Sequence, residues 1–153
     1  MKIYLAGSMA GGRDYADGLV AINKVLIELG HIVLTPFVVD PKINEQRFPK
    51  LKGVKRARAI FEEDIELVTE SDTIIAEVSQ PSTGVGTELG YALGLIRLAK
   101  KRKPILLLRH KSLEKVPTSN LIIGNPHATF SYYDKGSVGS VVWNFLNKLS
   151  KKK

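Results

Sequence analysis

The chain has no cysteine among its 153 residues. Disulfides, thiolate zinc sites and a cysteine nucleophile are therefore excluded, and the composition fits a cytoplasmic protein. Long apolar runs are also missing. The N-terminal MKIYLAGSMAGG carries one lysine and a short apolar run, too short for the core of a signal peptide, and no segment approaches membrane-spanning length. Histidine is sparse. His31, His110 and His127 are scattered and form no recognisable metal pair with spaced carboxylates, so no metal is expected. The standard nucleotide fingerprints are absent too. No G-x-x-x-x-G-K-[ST] occurs, and GVGTELG (84–90) is one residue off the dinucleotide pattern. ATPase and dehydrogenase readings lose support.

What is present is an ordinary globular composition, 44% hydrophobic and 25% charged. Its length favours one domain over residues 1–150, followed by a lysine tail at 151–153. The net charge is +8, gathered at 41–58, at KKRK (100–103) and in the tail. No nucleic-acid recognition motif accompanies the charge, and aromatics are not interleaved with it as stacking platforms would require. Nucleic-acid and membrane partners are not expected. The 41–58 cluster lies in a long aperiodic connection, 38–54, of the kind that covers a site. Arg47, Lys50 and Lys52 are its candidate contacts to an anionic substrate.

Hydrophobic periodicity alternates between strand and helix. Strands are predicted at 2–7, 31–37, 72–78, 104–109 and 128–134. Helices are predicted at 13–30, 55–71, 85–102 and 137–150, with a loop or short helix at 116–126. Trp143, Phe145 and Leu146 read as packing of the last helix. Several strands are continuously apolar, which implies a parallel sheet covered by helices on both faces. The fold class is α/β: a doubly wound, Rossmann-like five-stranded parallel sheet of flavodoxin-like order 2-1-3-4-5. In that order the ligand crevice lies outside the carboxyl ends of strands one and three. The loops there, GSMAGG (7–12) and SQPSTGVG (79–86), are rich in Gly and Ser and lead into helices. Backbone amides at a helix start, with the hydroxyls of Ser8 and Ser82, would bind one phosphate.

Two carboxylates stand out of place. Asp64 shares a helical stripe with Ala57, Ile60, Phe61 and Val68, whereas Glu62, Glu63 and Glu66 take the solvent side. An inward carboxylate needs a partner. Glu88 falls at the start of the third helix, where the macrodipole would hold it ionised. An ionised carboxylate suits a nucleophile, and one on an apolar face suits a proton donor. That is the logic of glycosidic cleavage. Tyr4, on the first strand, points along it towards the crevice and could orient Glu88.

The segments IYLAGSMAGGR (3–13), FEEDIELVTESDTIIAEVSQPSTGVGTELGYALG (61–94) and TSNLIIG (118–124) resemble the 2'-deoxynucleoside 5'-phosphate N-hydrolases, within the wider nucleoside 2-deoxyribosyltransferase superfamily. The resemblance runs in order over most of the chain. It implies a flavodoxin-like homodimer without cofactor that hydrolyses the N-glycosidic bond of deoxynucleoside monophosphates. The products would be a free base and 2-deoxyribose 5-phosphate. Glu88 matches the nucleophile that forms a glycosyl-enzyme intermediate. Asp64 matches the acid assisting departure of the base, and Tyr4 the tyrosine that orients the nucleophile. Ser8 and Ser82 match phosphate-binding serines, and Ser119 one contributed by the neighbouring subunit. With their loops, Gly7, Met9, Ala10, Gly11, Gly84, Gly86 and Asn120 complete the expected substrate-binding set.

The chain departs from the mammalian-type pattern at Ala10, where those enzymes carry Arg, and at Phe37, where they carry His. Both changes bear on base preference. A deoxyribosyltransferase, which passes the sugar to a second base, is the nearest alternative. The phosphate-binding serines argue against it. The cytokinin-activating phosphoribohydrolase type has a similar loop, but Ser82 and Thr83 replace its paired glycines. A non-catalytic nucleotide sensor would need the crevice but not both carboxylates.

Overall fold

The computed structural model describes residues 1–9 and 12–151. Five parallel strands form one sheet in the order β2-β1-β3-β4-β5. They are β1 (Lys2–Ala6), β2 (Ile32–Val33), β3 (Thr73–Glu77), β4 (Ile105–His110) and β5 (Ala128–Tyr133). The register runs Tyr4 to Ile74, Ile74 to Ile105 and Ile105 to Ala128. The central strands are buried along nearly their whole length, which is why their sequences read as unbroken apolar runs.

Alternation along each strand divides the core in two. Ile3, Leu5, Ile75, Leu106 and Leu108 pack on one face with Leu19, Ile22 and Leu26 of α1 (Ala16–Glu28) and Val142 and Phe145 of α6 (Val138–Ser150). Tyr4, Ala6, Ile74, Ala76, Ile105 and Leu107 pack on the other with Val68 of α3 (Gly53–Glu70) and Val85, Leu89 and Ala92 of α4 (Thr83–Arg97). Each fully buried Leu or Ile contributes about 1.5–3 kcal/mol relative to exposure. Tyr4 is the polar member of the second layer, so its hydroxyl is delivered between α3 and α4. Among the described residues no helix is long and apolar enough to cross a membrane.

The sequence reading needs correction in several places. β2 is only two residues long, because Pro36 opens a 3-10 turn over Pro36–Val38. Leu34 still donates its amide to the Ile3 carbonyl. The aperiodic connection contains a short helix, α2 (Pro41–Gln46), whose N-cap Asp40 accepts from the Lys42 amide. The third helix begins two residues earlier than expected, with Ser82 as N-cap accepting from the Val85 amide, and ends at Arg97. Glu88 therefore lies in its second turn, beyond the reach of the helix-end amides. Trp143 is exposed, and only Phe145 and Leu146 of that group pack inward.

α3 ends under an unusual cap. The buried Lys103 Nζ donates to the Val68 carbonyl at 2.7 Å, and also to the Ser71 carbonyl. A cation thereby satisfies carbonyls left unpaired at a helix C-terminus.

Candidate active site

The loop after β1 and the loop after β3 are neighbours. A Cβ built on Gly12, which has φ +118°, would come within 3.0 Å of the Gln80 side chain. Gly7 is constrained too, since a Cβ there would meet the Leu19 side chain at 2.5 Å. Of the two, only Gly12 has a backbone conformation that favours glycine, whereas Gly7 leaves room for the Leu19 side chain. Ser8 is buried, and its Oγ has no hydrogen-bond partner among the described residues. Met9 packs against the α1 side of the core and receives the Arg13 guanidinium on its sulfur at 3.3 Å. Ala10 and Gly11, expected in the substrate loop, lie outside the described residues.

Tyr4, Asp64 and Glu88 converge from β1, α3 and α4. Tyr4 is 1% exposed. Burial first, then the charges of Glu88 and Asp64, push its phenol far above the ordinary value, so it stays protonated as a donor. The Glu88 carboxyl is pushed up to about 7, chiefly by burial, with the Tyr4 hydroxyl drawing it back down. Glu88 Oε2 is buried and has no hydrogen-bond partner among the described residues. The expectation that a helix start holds Glu88 ionised is thus overturned. Glu88 lies too far along α4 for the end dipole, and desolvation wins.

Asp64 does find the partner that its inward position demanded. Arg47 Nη2 lies 2.5 Å from Asp64 Oδ1 and 2.6 Å from Glu63 Oε2. Burial raises the Asp64 pKa, and the Arg47 charge and hydrogen bond oppose it. Arg47 also stands over the Phe37 ring, 3.6 Å from its centroid. Arg47 is therefore engaged by two carboxylates of α3, not held free as a contact to an anionic substrate. Lys50 and Lys52 are exposed. Glu63 is drawn into the same ion pair and does not simply face solvent. The periodicity of α3 gives the signal that Asp64 needs a partner. Which one answered was hidden in a loop without period.

On the other side of α4 lies a cavity of about 880 Å³, lined in part by Ser82, Gly86, Leu89, Arg109, Ser119 and Asn120. It brings Ser82 and Ser119 of one chain to a common space, which Tyr4, Asp64 and Glu88 do not line. A Cβ on Gly84 would only touch the Ser82 hydroxyl, at 3.8 Å, and one on Gly86 would meet nothing. Ser119 caps α5 (Asn120–Ile123) by accepting from the Leu121 amide. Its loop is fixed by Arg109, 4% exposed, which donates to the carbonyls of Val116 at 2.9 Å and Pro117 at 3.3 Å. The loop after β3 has an anchor as well. Ser79 Oγ donates to buried Glu77 and accepts from the His110 amide, while Tyr133 Oη donates to Glu77 at 3.0 Å. Burial raises the Glu77 pKa against these hydrogen bonds. Arg109 and Glu77 were not anticipated. Their signal was a charge at the end of an apolar strand, in PILLLR and DTIIAEV.

Together these features define a doubly wound α/β protein in which two carboxylates and a phenol meet beside glycine-rich loops at the topological switch point. The chain belongs to the nucleoside 2-deoxyribosyltransferase family, whose model matches residues 3–127. A Methanosarcina mazei protein named "Putative 2'-deoxynucleoside 5'-phosphate N-hydrolase 1" is 33% identical over 97% of this chain and 85% of its own. The 5-hydroxymethyl-dUMP N-hydrolase of Esox lucius is 38% identical over 75% of this chain and 73% of its own. Among solved structures, a 2-deoxyribosyltransferase from Bacillus psychrosaccharolyticus superposes with a TM-score of 0.65 at 22% identity, covering 91% of this chain and 90% of its own. The CMP N-glycosidase of Clostridium botulinum gives 0.56 at 20% identity, covering 93% and 98%. Both share the fold.

Proposed function

We propose that the protein is an N-glycosidase that hydrolyses 2'-deoxynucleoside 5'-monophosphates to free base and 2-deoxyribose 5-phosphate. The observation that carries this reading is the meeting of Tyr4, Asp64 and Glu88, with one Glu88 oxygen buried and unpaired among the described residues. In the reaction Glu88 attacks the anomeric carbon as a carboxylate, and Asp64 gives its proton to the departing base. Tyr4 holds the carboxylate by donating to it. Water then cleaves the glycosyl ester, with Asp64 accepting its proton. Ser8 and Ser82, with the amides of their loops, take the phosphate.

The names of the relatives support a nucleotide substrate, and the cytoplasm is the compartment that follows. We also propose a homodimer in which Ser119 completes the phosphate site of the neighbouring subunit. The exposed Leu121 and Ile123 beside it are the apolar surface such a partner would cover.

The test is chromatography of reactions with each deoxynucleoside monophosphate, with deoxynucleosides plus an acceptor base, and with ribonucleotides, using Glu88→Ala as control. Free base from the deoxynucleoside monophosphates alone, lost in Glu88→Ala, is the expected result. A swapped base from unphosphorylated substrates would replace the reading with a transferase. Retained nucleotide binding without turnover would replace it with a sensor.

A further inference from the structure

The 38–54 connection is not draped loosely over the site. It is fastened to α3 in both directions. Arg56 of α3 reaches back, its Nε donating to the Arg47 carbonyl at 3.1 Å and its Nη2 to the Asn44 carbonyl at 3.0 Å. Arg47 reaches forward. Its Nε donates to Glu63 Oε2 at 2.7 Å and its Nη2 to Asp64 Oδ1 at 2.5 Å. The side chain is 8% exposed, packed face-on against Phe37. A guanidinium can do all three things at once, because its fork spans two carboxylates while its plane stacks on an aromatic ring.

We propose that Arg47 is a positioning residue for the reaction: held over the Phe37 ring and bridged to Glu63, its guanidinium fixes the Asp64 carboxyl so that it faces Tyr4 and Glu88. The proposal rests on the reading of Asp64 as the acid. It explains why the segment preceding α3 carries a buried arginine in the midst of exposed lysines. It also gives Phe37, placed after β2, the task of holding a cation at the acid.

The groups that face Asp64 are Arg47 from the connection, Glu63 from its own helix, Tyr4 from β1 and Glu88 from α4. Arg47 lowers the pKa of both Asp64 and Glu88, whereas Glu63 raises that of Asp64. The two carboxyls titrate as a pair, so the pH profile of kcat/KM has two limbs that belong to both. Removing Arg47 must move both limbs to higher pH. Removing Glu63 must move the limb dominated by Asp64 to lower pH. A residue that merely held the fold together would move neither.

The experiment is the pH profile of kcat/KM for deoxynucleoside monophosphate hydrolysis by the full chain and by Arg47→Met, Arg47→Lys, Glu63→Gln and Asp64→Asn. Thermal melts of each report on folding. For Arg47→Met we expect a loss of about 10- to 100-fold in kcat/KM and a rise of both limbs by about one pH unit. Arg47→Lys should return the limbs to their places without restoring the full rate, because an ammonium cannot bridge two carboxylates in fixed geometry. Limbs at wild-type positions in Arg47→Met would overturn the proposal, whatever the rate. If that variant fails to melt cooperatively, an unmoved Asp64 limb in Glu63→Gln overturns it instead. Asp64→Asn separates this inference from the reading beneath it. An inactive Asp64→Asn beside unmoved limbs defeats only the role of Arg47, while a fully active Asp64→Asn defeats both.

Discussion

Burial pushes Glu88 up to about 7 and also raises Asp64 against its ion pair with Arg47, so near neutral pH the two carboxyls titrate as a coupled pair. The proposed cleavage needs Glu88 ionised and Asp64 protonated. The active form is one tautomer of the singly protonated pair. The expected result is that kcat/KM falls above about pH 7, as the last proton leaves. Asp64→Asn should reverse this slope. Its small residual activity should climb with pH, because only the ionisation of Glu88 then matters. Steady-state profiles of the two proteins decide the point, and parallel slopes would refute it.

The same shift is a statement about stability. The folded value of about 7 lies above the unfolded value of 4.5, so the folded state binds the extra proton in that window. The stability contribution is complete below 4.5 and is lost as pH rises through 7. Glu88→Gln should therefore be more stable than the wild type at pH 8, by up to about 3 kcal/mol, and should lose that advantage at pH 4.5. Calorimetry at the two pH values tests it. An equal difference at both would assign the effect to packing.

Elements transmit order to the site through a short chain of contacts. A Cβ on Gly18 of α1 would lie 2.0 Å from the Tyr133 hydroxyl of β5, which bonds Glu77 at the end of β3, which holds the Ser79 turn. Gly18→Ala must displace that hydroxyl. The expected cost is about 1–3 kcal/mol, with a raised KM for the nucleotide because the loop carrying Ser82 loses its anchor. Adding Tyr133→Phe removes the clashing oxygen and should relieve part of the Gly18→Ala penalty, a coupling that a double-mutant cycle measures. Additive penalties would refute the chain of contacts.

The sheet order is legible in the sequence, because the alternation of apolar strands with amphipathic helices is a local pattern. So is the oddity of Asp64. Arg47 is not, because its partners lie 16 and 17 residues away, across a segment with no period. Glu88 sits a turn deeper than its spacing suggests, because Ser82 caps the helix and starts it at Thr83. The ionisation of Glu88 is not legible for a further reason. Desolvation depends on how α3, α4 and β1 close around a carboxyl, which no spacing encodes.

At the scale of the molecule, α4 and α5 leave an apolar surface beside Ser82 and Ser119. Leu121 is 86% exposed, and Ile123 and the cavity next to them are open as well. Exposure of this kind, next to residues assigned to substrate binding, suits an interface between two copies. If the partner's Ser119 completes the phosphate site, dissociation must weaken phosphate binding without touching the carboxylates on the other side of α4. Leu121→Asp should therefore shift sedimentation from dimer towards monomer and raise KM for the monophosphate, with kcat nearly unchanged at saturation. A wild-type protein that sediments as a monomer while fully active would end the argument for a shared site. A monomeric Leu121→Asp with unaltered KM would leave the dimer standing but assign Ser119 to its own chain, where it shares the cavity with Ser82.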